Sequence, residues 1–238
     1  MVVPNIYTSP NRNDYAMKKA KAFYNANMKN PNGYKKEVQT IRKVVEVKDG
    51  KLGVSVDLRK GDGFNSPLAT GDAMVIYGMR MGFIKVPKKE GSTTEFEAIE
   101  NQSIVYYPSQ TIFNHTKTGA VPQYKAFNAL YNGYGKFVIS GGNVALKMDL
   151  SRFKKTPISF TEGVPYYGPY GPTVQLEEMY VVLADETASF ETTVQYADTI
   201  TSSGSDDEQI YLVFEFEGLV CINCKDEILE LTEISRVI

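Results

Sequence analysis

The chain has 238 residues, of which 42% are hydrophobic and 23% charged, and it contains 16 Tyr and 12 Phe but no Trp. This composition excludes wholesale disorder, and the abundance of Tyr and Phe among Val, Ile and Thr favours β-structure. Residues 11–48 hold ten Lys/Arg against three Asp/Glu, whereas residues 174–238 hold two against fifteen. We therefore expect the two ends to face different surroundings, or complementary surfaces to meet between copies.

No apolar run approaches the roughly 20 residues that a membrane-spanning helix needs, so we do not expect an integral membrane protein. The first ten residues contain no positively charged segment ahead of an apolar one, so we expect no secretory signal. The length allows one large β-domain or two compact ones.

One helix is predicted, over residues 11–30. Asn13 or Asp14 can cap it, and its apolar residues recur at spacings of three and four. The Asn-Pro-Asn-Gly sequence at 30–33 ends it. The basic residues of this segment are Arg12, Lys18, Lys19, Lys21 and Lys29. They allow three interpretations: contact with an anionic bilayer, contact with packaged nucleic acid, or a solvated polar face.

From Tyr34 onward, β-patterned segments separated by turn signals recur about every ten residues. This spacing predicts an antiparallel sandwich or barrel and argues against a βαβ fold. The predicted strands are 38–47, 52–58, 73–86, 94–97, 103–107, 137–140, 144–150, 158–161, 174–184, 190–196 and 210–222. Asp49-Gly50 predicts a hairpin between the first two strands, and 140–143 predicts another. A short helix is predicted over 127–131.

Candidate catalytic groups are few. The sole histidine, His115, has no nucleophile motif near it, so we interpret it as a loop residue. Paired acids at 177–178, 185–186 and 206–208 do not by themselves define a glycosidase site. The last pair lies in a segment typical of a solvated loop, with a calcium site at a subunit junction as the alternative. We predict no enzyme.

Cys221 and Cys224 form a single Cys-x-x-Cys. A zinc site would need four ligands, and a redox motif of the thioredoxin type would open a helix, whereas this pair ends an apolar strand. We therefore predict two reduced thiols, with no metal and no cofactor.

The segment 164–172 places three tyrosines among three prolines and two glycines. A restricted backbone with large amphipathic side chains suits contact with another surface, so we predict that Tyr166, Tyr167 and Tyr170 form a subunit contact. Stacking against a glycan is the alternative, although lectin-like sites favour Trp.

Several features together resemble a known family. They are the basic helix, the long Tyr/Val/Ile strands, and the segments 127–139, 149–157 and 211–218. In this organisation the chain resembles capsid proteins of small tailless icosahedral phages, and most closely the double jelly-roll major capsid proteins of lipid-containing phages of flavobacteria. The resemblance implies two eight-stranded jelly rolls side by side, trimers of hexagonal outline, and a shell over an internal membrane that encloses the genome.

The resemblance leads to one main prediction and its alternatives. We predict an all-β major capsid protein of the virion, made in the host cytoplasm, with an arm and helix at 1–33 and jelly rolls at 34–125 and 126–238. Its predicted partners are two further copies in a homotrimer, penton or minor capsid proteins, and internal membrane or packaged nucleic acid at the basic helix. Because eleven strands are fewer than sixteen, a single jelly roll with long loops, as a vertex or minor capsid protein, is the alternative. A carbohydrate-binding or adhesion β-sandwich is the rival from another class.

Overall fold

The structure is a computed structural model that describes residues 12–46, 53–58, 68–87, 104–107, 128, 130–139, 143–161, 164–167, 171–184, 188–194 and 208–229. Its elements, in chain order, are α1 (Arg12–Asn27), β1 (Lys36–Glu46), β2 (Ser55–Asp57), β3 (Ala73–Pro87), β4 (Tyr134–Ile139), β5 (Asn143–Asp149), β6 (Ser159–Thr161), β7 (Val164–Tyr166), β8 (Val174–Leu183), β9 (Ala188–Thr193) and β10 (Glu208–Cys221). Short 3-10 helices follow β5 at Leu150–Phe153 and β10 at Lys225–Glu227.

Eight of the strands form two four-stranded antiparallel sheets. The first sheet has the order β1-β10-β3-β8 and the second β2-β9-β4-β5, while β6 and β7 form a separate hairpin. Each sheet combines strands from both sides of residue 125. In the first sheet β1 and β3 alternate with β10 and β8, and in the second β2 pairs with β9 at the edge of β4 and β5. The described strands therefore form one sandwich built from both halves of the chain, and they do not divide into two units at residue 125.

The pairing of these eight strands follows a nested order. β1 pairs with β10, β2 with β9, β3 with β8 and β4 with β5. Among these eight strands the first pairs with the last, the second with the second-last, and so on inward. Two further pairings, β10 with β3 and β9 with β4, join these pairs into sheets. The chain thus runs as one long antiparallel ribbon folded over on itself.

The core lies between the two sheets and is filled with large side chains. Alternate strand residues point inward, so aromatic rings from the two sheets meet. The ring centroids of Phe190 on β9 and Phe214 on β10 lie 5.3 Å apart, and those of Phe137 on β4 and Tyr180 on β8 lie 5.6 Å apart. All four residues are at most 1% exposed. Aromatic pairs at such distances add about 0.5–1.5 kcal/mol per pair beyond the burial of area.

The helix α1 packs on the outer face of the first sheet. Its buried stripe of Ala16, Ala20, Phe23 and Tyr24 lies against outward-facing residues of β3, β8 and β10. The apolar spacing that predicts the helix is therefore the spacing that buries it. The helix belongs to the sandwich and does not extend from it as a free arm.

Most predicted elements are confirmed, and the differences have physical causes. The helix and the strands corresponding to β1, β3, β5, β8 and β10 lie within a few residues of their predicted bounds, and 140–143 joins the paired strands β4 and β5. The hairpin predicted at Asp49-Gly50 is wrong, because β1 and β2 lie in different sheets. Of the strand predicted at 103–107, the described residues 104–107 supply only a bridge between Val105 and Phe83. The strand predicted at 94–97 lies outside the described residues.

Candidate interaction surfaces

Tyr24 fixes α1 to the sheet. Its ring is fully buried, and its hydroxyl lies 2.9 Å from the carbonyl oxygens of Ala73 on β3 and Leu219 on β10, so its single proton is shared between two strands. Burial raises the pKa of Tyr24 well above its ordinary value. The hydroxyl thus stays neutral and donates to the sheet throughout the physiological range.

Positive charge lies on the solvent-facing side of α1 and at Lys29 just beyond its end. Lys18, Lys21 and Lys29, which we call the basic surface, are exposed, and Lys19 is half-buried. At 3.6 residues per turn, Lys18 lies about 160° around the axis from the buried Ala16 and Ala20. Among the described residues these lysines have no ion-pair partner. Beside Lys18, the ring of Tyr15 is 68% exposed.

This arrangement limits what the basic surface can bind. An amphipathic helix that inserts into a bilayer needs a free apolar face, whereas the apolar face of α1 contacts the sheet. The docked helix therefore presents its lysines and Tyr15, and not its apolar face, to an anionic partner. Arg12 begins α1, and its side chain lies outside the described part of the chain.

The β6–β7 hairpin presents two large apolar side chains to solvent. Ile158 is 72% exposed and Tyr166 is 48% exposed, and the amide of Ile158 donates to the carbonyl of Tyr166 at 2.7 Å. We call these two residues the hairpin surface. Of the predicted tyrosine contact, Tyr166 thus faces solvent and Tyr167 is half-buried, while Tyr170 lies outside the described residues.

Tyr167 anchors the base of the hairpin. Its ring packs edge-on against Tyr106 with centroids 5.6 Å apart, and its hydroxyl lies 3.4 Å from the amide of Tyr106. The carbonyl of Tyr106 accepts from the amide of Lys155 at 3.0 Å. Burial raises the pKa of both tyrosines. The hairpin is therefore held at one end, and its exposed residues project from a fixed base.

A buried carboxylate connects this base to the sheet. Glu215 on β10 is 4% exposed and lies directly opposite Arg42 on β1 and Arg80 on β3. Its oxygens accept from Arg42 at 2.9 and 3.0 Å and from the hydroxyl of Tyr106 at 3.1 Å, and Arg80 Nε lies 3.2 Å away. The Arg80 contact is an ion pair without hydrogen-bond alignment, since that Nε–H has no hydrogen-bond acceptor. This cluster was not predicted, because only the strand order brings its four members together.

Cys221 and Cys224 lie beneath the C-terminal end of α1. Both are free thiols with no exposed area, as predicted for two reduced thiols at a strand end. The Cys224 thiol donates to the carbonyl of Cys221 at 3.3 Å, and Cys221 Sγ lies 3.9 Å from Met28 Sδ.

The other candidate groups are not brought together. His115 and the acid pairs at 185–186 and 206–207 lie outside the described residues. Within the described ranges, no three or more His, Cys, Asp or Glu side chains are arranged to hold a metal ion. In that same part of the chain no helix is both long and apolar enough to cross a membrane.

The chain was compared with known proteins in three ways. Protein-family models, curated proteins and solved structures all gave no match.

Proposed function

We propose that this chain is a structural subunit of an icosahedral virion shell. The observation that carries the proposal is the nested strand order. An eight-stranded ribbon that pairs first strand with last and folds into the sheets β1-β10-β3-β8 and β2-β9-β4-β5 has the connectivity of a jelly roll. Viral capsid domains are one of the main uses of that fold, alongside lectins and cupins.

The strand order favours one jelly roll over two. Both four-stranded sheets draw strands from each half of the chain, so eight described strands complete one roll. Among the roles that the resemblance suggests, a single-roll vertex or minor capsid protein therefore has more support than a double-roll major capsid protein.

The filled interior favours a function at the surface. Cupin-type sites and ligand-binding barrels use side chains that point into the roll, whereas here those positions hold Phe137, Phe190, Phe214 and Phe216 in mutual contact. Assembly uses the outside of the roll. The hairpin surface supplies exposed apolar area there, next to the cations Lys154 and Lys155.

The basic surface of α1 is assigned to the anionic interior of the virion. Near an anionic bilayer each lysine contributes about 1 kcal/mol, so the three lysines contribute about 3 kcal/mol per subunit. That energy is too small for one subunit alone, but an array of copies would add it many times. The same lysines would neutralise about three phosphates of nucleic acid, with the corresponding dependence on salt.

Sedimentation velocity of the full chain at rising concentration tests the assembly role. We expect oligomers that weaken when Ile158→Asp or Tyr166→Ser is introduced, because each removes exposed apolar area from the contact. The matched control is Leu229→Ser, which changes another exposed apolar residue, 46% exposed, away from the hairpin. Equal assembly of wild type and both hairpin variants would contradict the assignment of the contact, and a wild type that stays monomeric would contradict assembly itself.

A binding assay with the same protein tests the role of the basic surface. Association with anionic vesicles and with single-stranded DNA is measured against salt for wild type and for a Lys18→Gln, Lys21→Gln, Lys29→Gln triple variant. We expect the variant to lose most of the salt-dependent binding to whichever ligand wild type prefers. Binding that is indifferent to salt and to the three lysines would contradict the assignment.

A further inference from the structure

Three sulfur atoms converge under the C-terminal end of α1. Cys221 Sγ lies 3.9 Å from Met28 Sδ, and Cys224 Sγ lies 3.3 Å from the carbonyl oxygen of Cys221. Cys221 and Cys224 have no exposed area and Met28 is 6% exposed. Met28, Cys221 and Cys224 thus form a compact group of soft donor atoms that we call the sulfur cluster.

Three separate elements place these atoms. Met28 directly follows α1 and forms a β-bridge with Ile228, which ties the end of the helix to the chain beyond β10. Cys221 is the last residue of β10, and a turn through Asn223, with a left-handed φ of 52°, brings Cys224 back beneath it. The turn is held because the Asn223 amide donates to Asp72 Oδ1 at 2.8 Å. The cluster therefore depends on the fold and not only on the Cys-x-x-Cys spacing.

We propose that Met28, Cys221 and Cys224 form a binding site for the soft monovalent ion Cu(I). Thiolate and thioether sulfurs are the donors that Cu(I) prefers. An ion bound at about 2.3 Å, a usual metal–sulfur distance, to two sulfurs 3.9 Å apart would subtend an angle of about 116°. That angle is close to the 120° of a three-coordinate planar site, so Met28 and Cys221 are already at a suitable spacing.

Proton and charge balance are compatible with binding. Two S–H groups would each lose a proton as two metal–thiolate bonds form, with no change of oxidation state, which leaves a net charge of −1 on the ion and its ligands. The ammonium of Lys36 acts favourably on the Cys221 thiolate.

The donor set fits Zn(II) less well. A structural zinc site takes four ligands from Cys, His, Asp or Glu, and the carboxylate of Asp72, which holds the Cys221–Cys224 turn, already accepts from the Asn223 amide. An ion would reach the cluster from the side of Met28, where Tyr34 and Ile228 are only partly buried.

Anaerobic titration of the reduced full chain with Cu(I), against a chromophoric Cu(I) chelator, tests the site. We expect one ion per chain, loss of that binding in Cys221→Ala, and affinity at least tenfold weaker in Met28→Leu, which conserves volume. Met179→Leu is the matched control, because Met179 belongs to the same buried cluster and the described structure gives it no sulfur contact. We expect it to bind as wild type does.

A second readout separates lost binding from lost folding. Stoichiometric Cu(I) should raise the thermal unfolding temperature of wild type and of Met179→Leu, but not that of Cys221→Ala. Cu(I) binding that survives Cys221→Ala unchanged would overturn the site, as would a folded wild type that binds no ion. A Met28→Leu variant that binds as tightly as Met179→Leu would overturn the three-sulfur assignment.

Discussion

Replacing Tyr24 with Phe removes one hydroxyl and leaves the ring in place. The two carbonyls that it contacts, those of Ala73 and Leu219, are each 2.9 Å away and lie under α1. A buried hydrogen bond contributes about 0.5–1.5 kcal/mol net, and leaving its buried partner unsatisfied costs about 1–3 kcal/mol. Because both acceptors lose the same donor, we expect Tyr24→Phe to lower the free energy of unfolding by about 1–2 kcal/mol. For a chain of this size that corresponds to a fall of about 2–8 °C in Tm.

Tyr15→Phe is the control, because it makes the same chemical change in the same helix where the ring is 68% exposed. It should change stability by less than about 0.5 kcal/mol. Urea denaturation gives the free energies, and alkylation of Cys221 and Cys224 in native buffer reports how often α1 leaves the sheet. Equal effects of the two substitutions on stability and on alkylation would refute the docking of α1 through Tyr24.

Three further predictions concern the first sheet. Glu215→Gln should lower the free energy of unfolding by about 1–3 kcal/mol, because it removes a buried carboxylate oxygen that accepts charged hydrogen bonds. Glu191→Gln, at a half-exposed ion pair, should lower it by less than about 1 kcal/mol, and equal losses in urea denaturation would contradict this prediction. In Gly82→Ala the new Cβ would lie 2.4 Å from Ile104 Cγ2, so the variant should have a lower Tm than Gly33→Ala, whose new Cβ would contact only the flexible Asn30 side chain. A lower Tm for Gly33→Ala than for Gly82→Ala would contradict this prediction. Burial and Glu217 raise the pKa of Tyr77 to about 12 from the ordinary 10, so the neutral hydroxyl stabilises the fold below pH 10 and this contribution is lost as pH rises from 10 to 12. Tyr77→Phe should therefore reduce the loss of unfolding free energy between pH 10 and 12, and an unchanged pH dependence would argue against this assignment.

The sequence was most informative where a pattern acts locally. The spacing of Ala16, Ala20 and Phe23 predicts both the helix and the side that it buries, because that side follows from 3.6 residues per turn. Most strand positions also followed from β-branched and aromatic runs between turns, although the strand predicted at 103–107 supplies only a bridge and β7 was not predicted. The long strands β3 and β10 were predicted within two residues at each end.

Strand order depends on residues that are far apart along the chain, and the sequence predicted it less well than it predicted strand positions. Asp49-Gly50 is a good hairpin signal in isolation, but β1 pairs with β10, which is more than 160 residues away along the chain. The ion cluster of Arg42, Arg80 and Glu215 depends on that same register, so no local pattern could indicate it. The Cys-x-x-Cys motif is evident in the sequence, whereas the contact of Cys221 with Met28 depends on the docking of α1.

The tyrosine segment 164–172 shows both what local composition predicts and what depends on distant residues. Its composition predicts a loop with large side chains on a restricted backbone, whereas Val164–Tyr166 form the strand β7 and Tyr167 anchors its end. Which tyrosine faces solvent depends on Tyr106, which comes from a part of the chain some sixty residues earlier. Tyr166 and Ile158 are therefore a better choice for mutation than the whole segment.

Electron microscopy of the purified full chain at rising concentration tests the central claim most directly. A virion shell subunit with a jelly-roll body should form closed symmetric oligomers or curved shell fragments, and Ile158→Asp should reduce them while Leu229→Ser does not. A chain that stays monomeric at every concentration and binds sugar would contradict the account and favour a carbohydrate-binding β-sandwich.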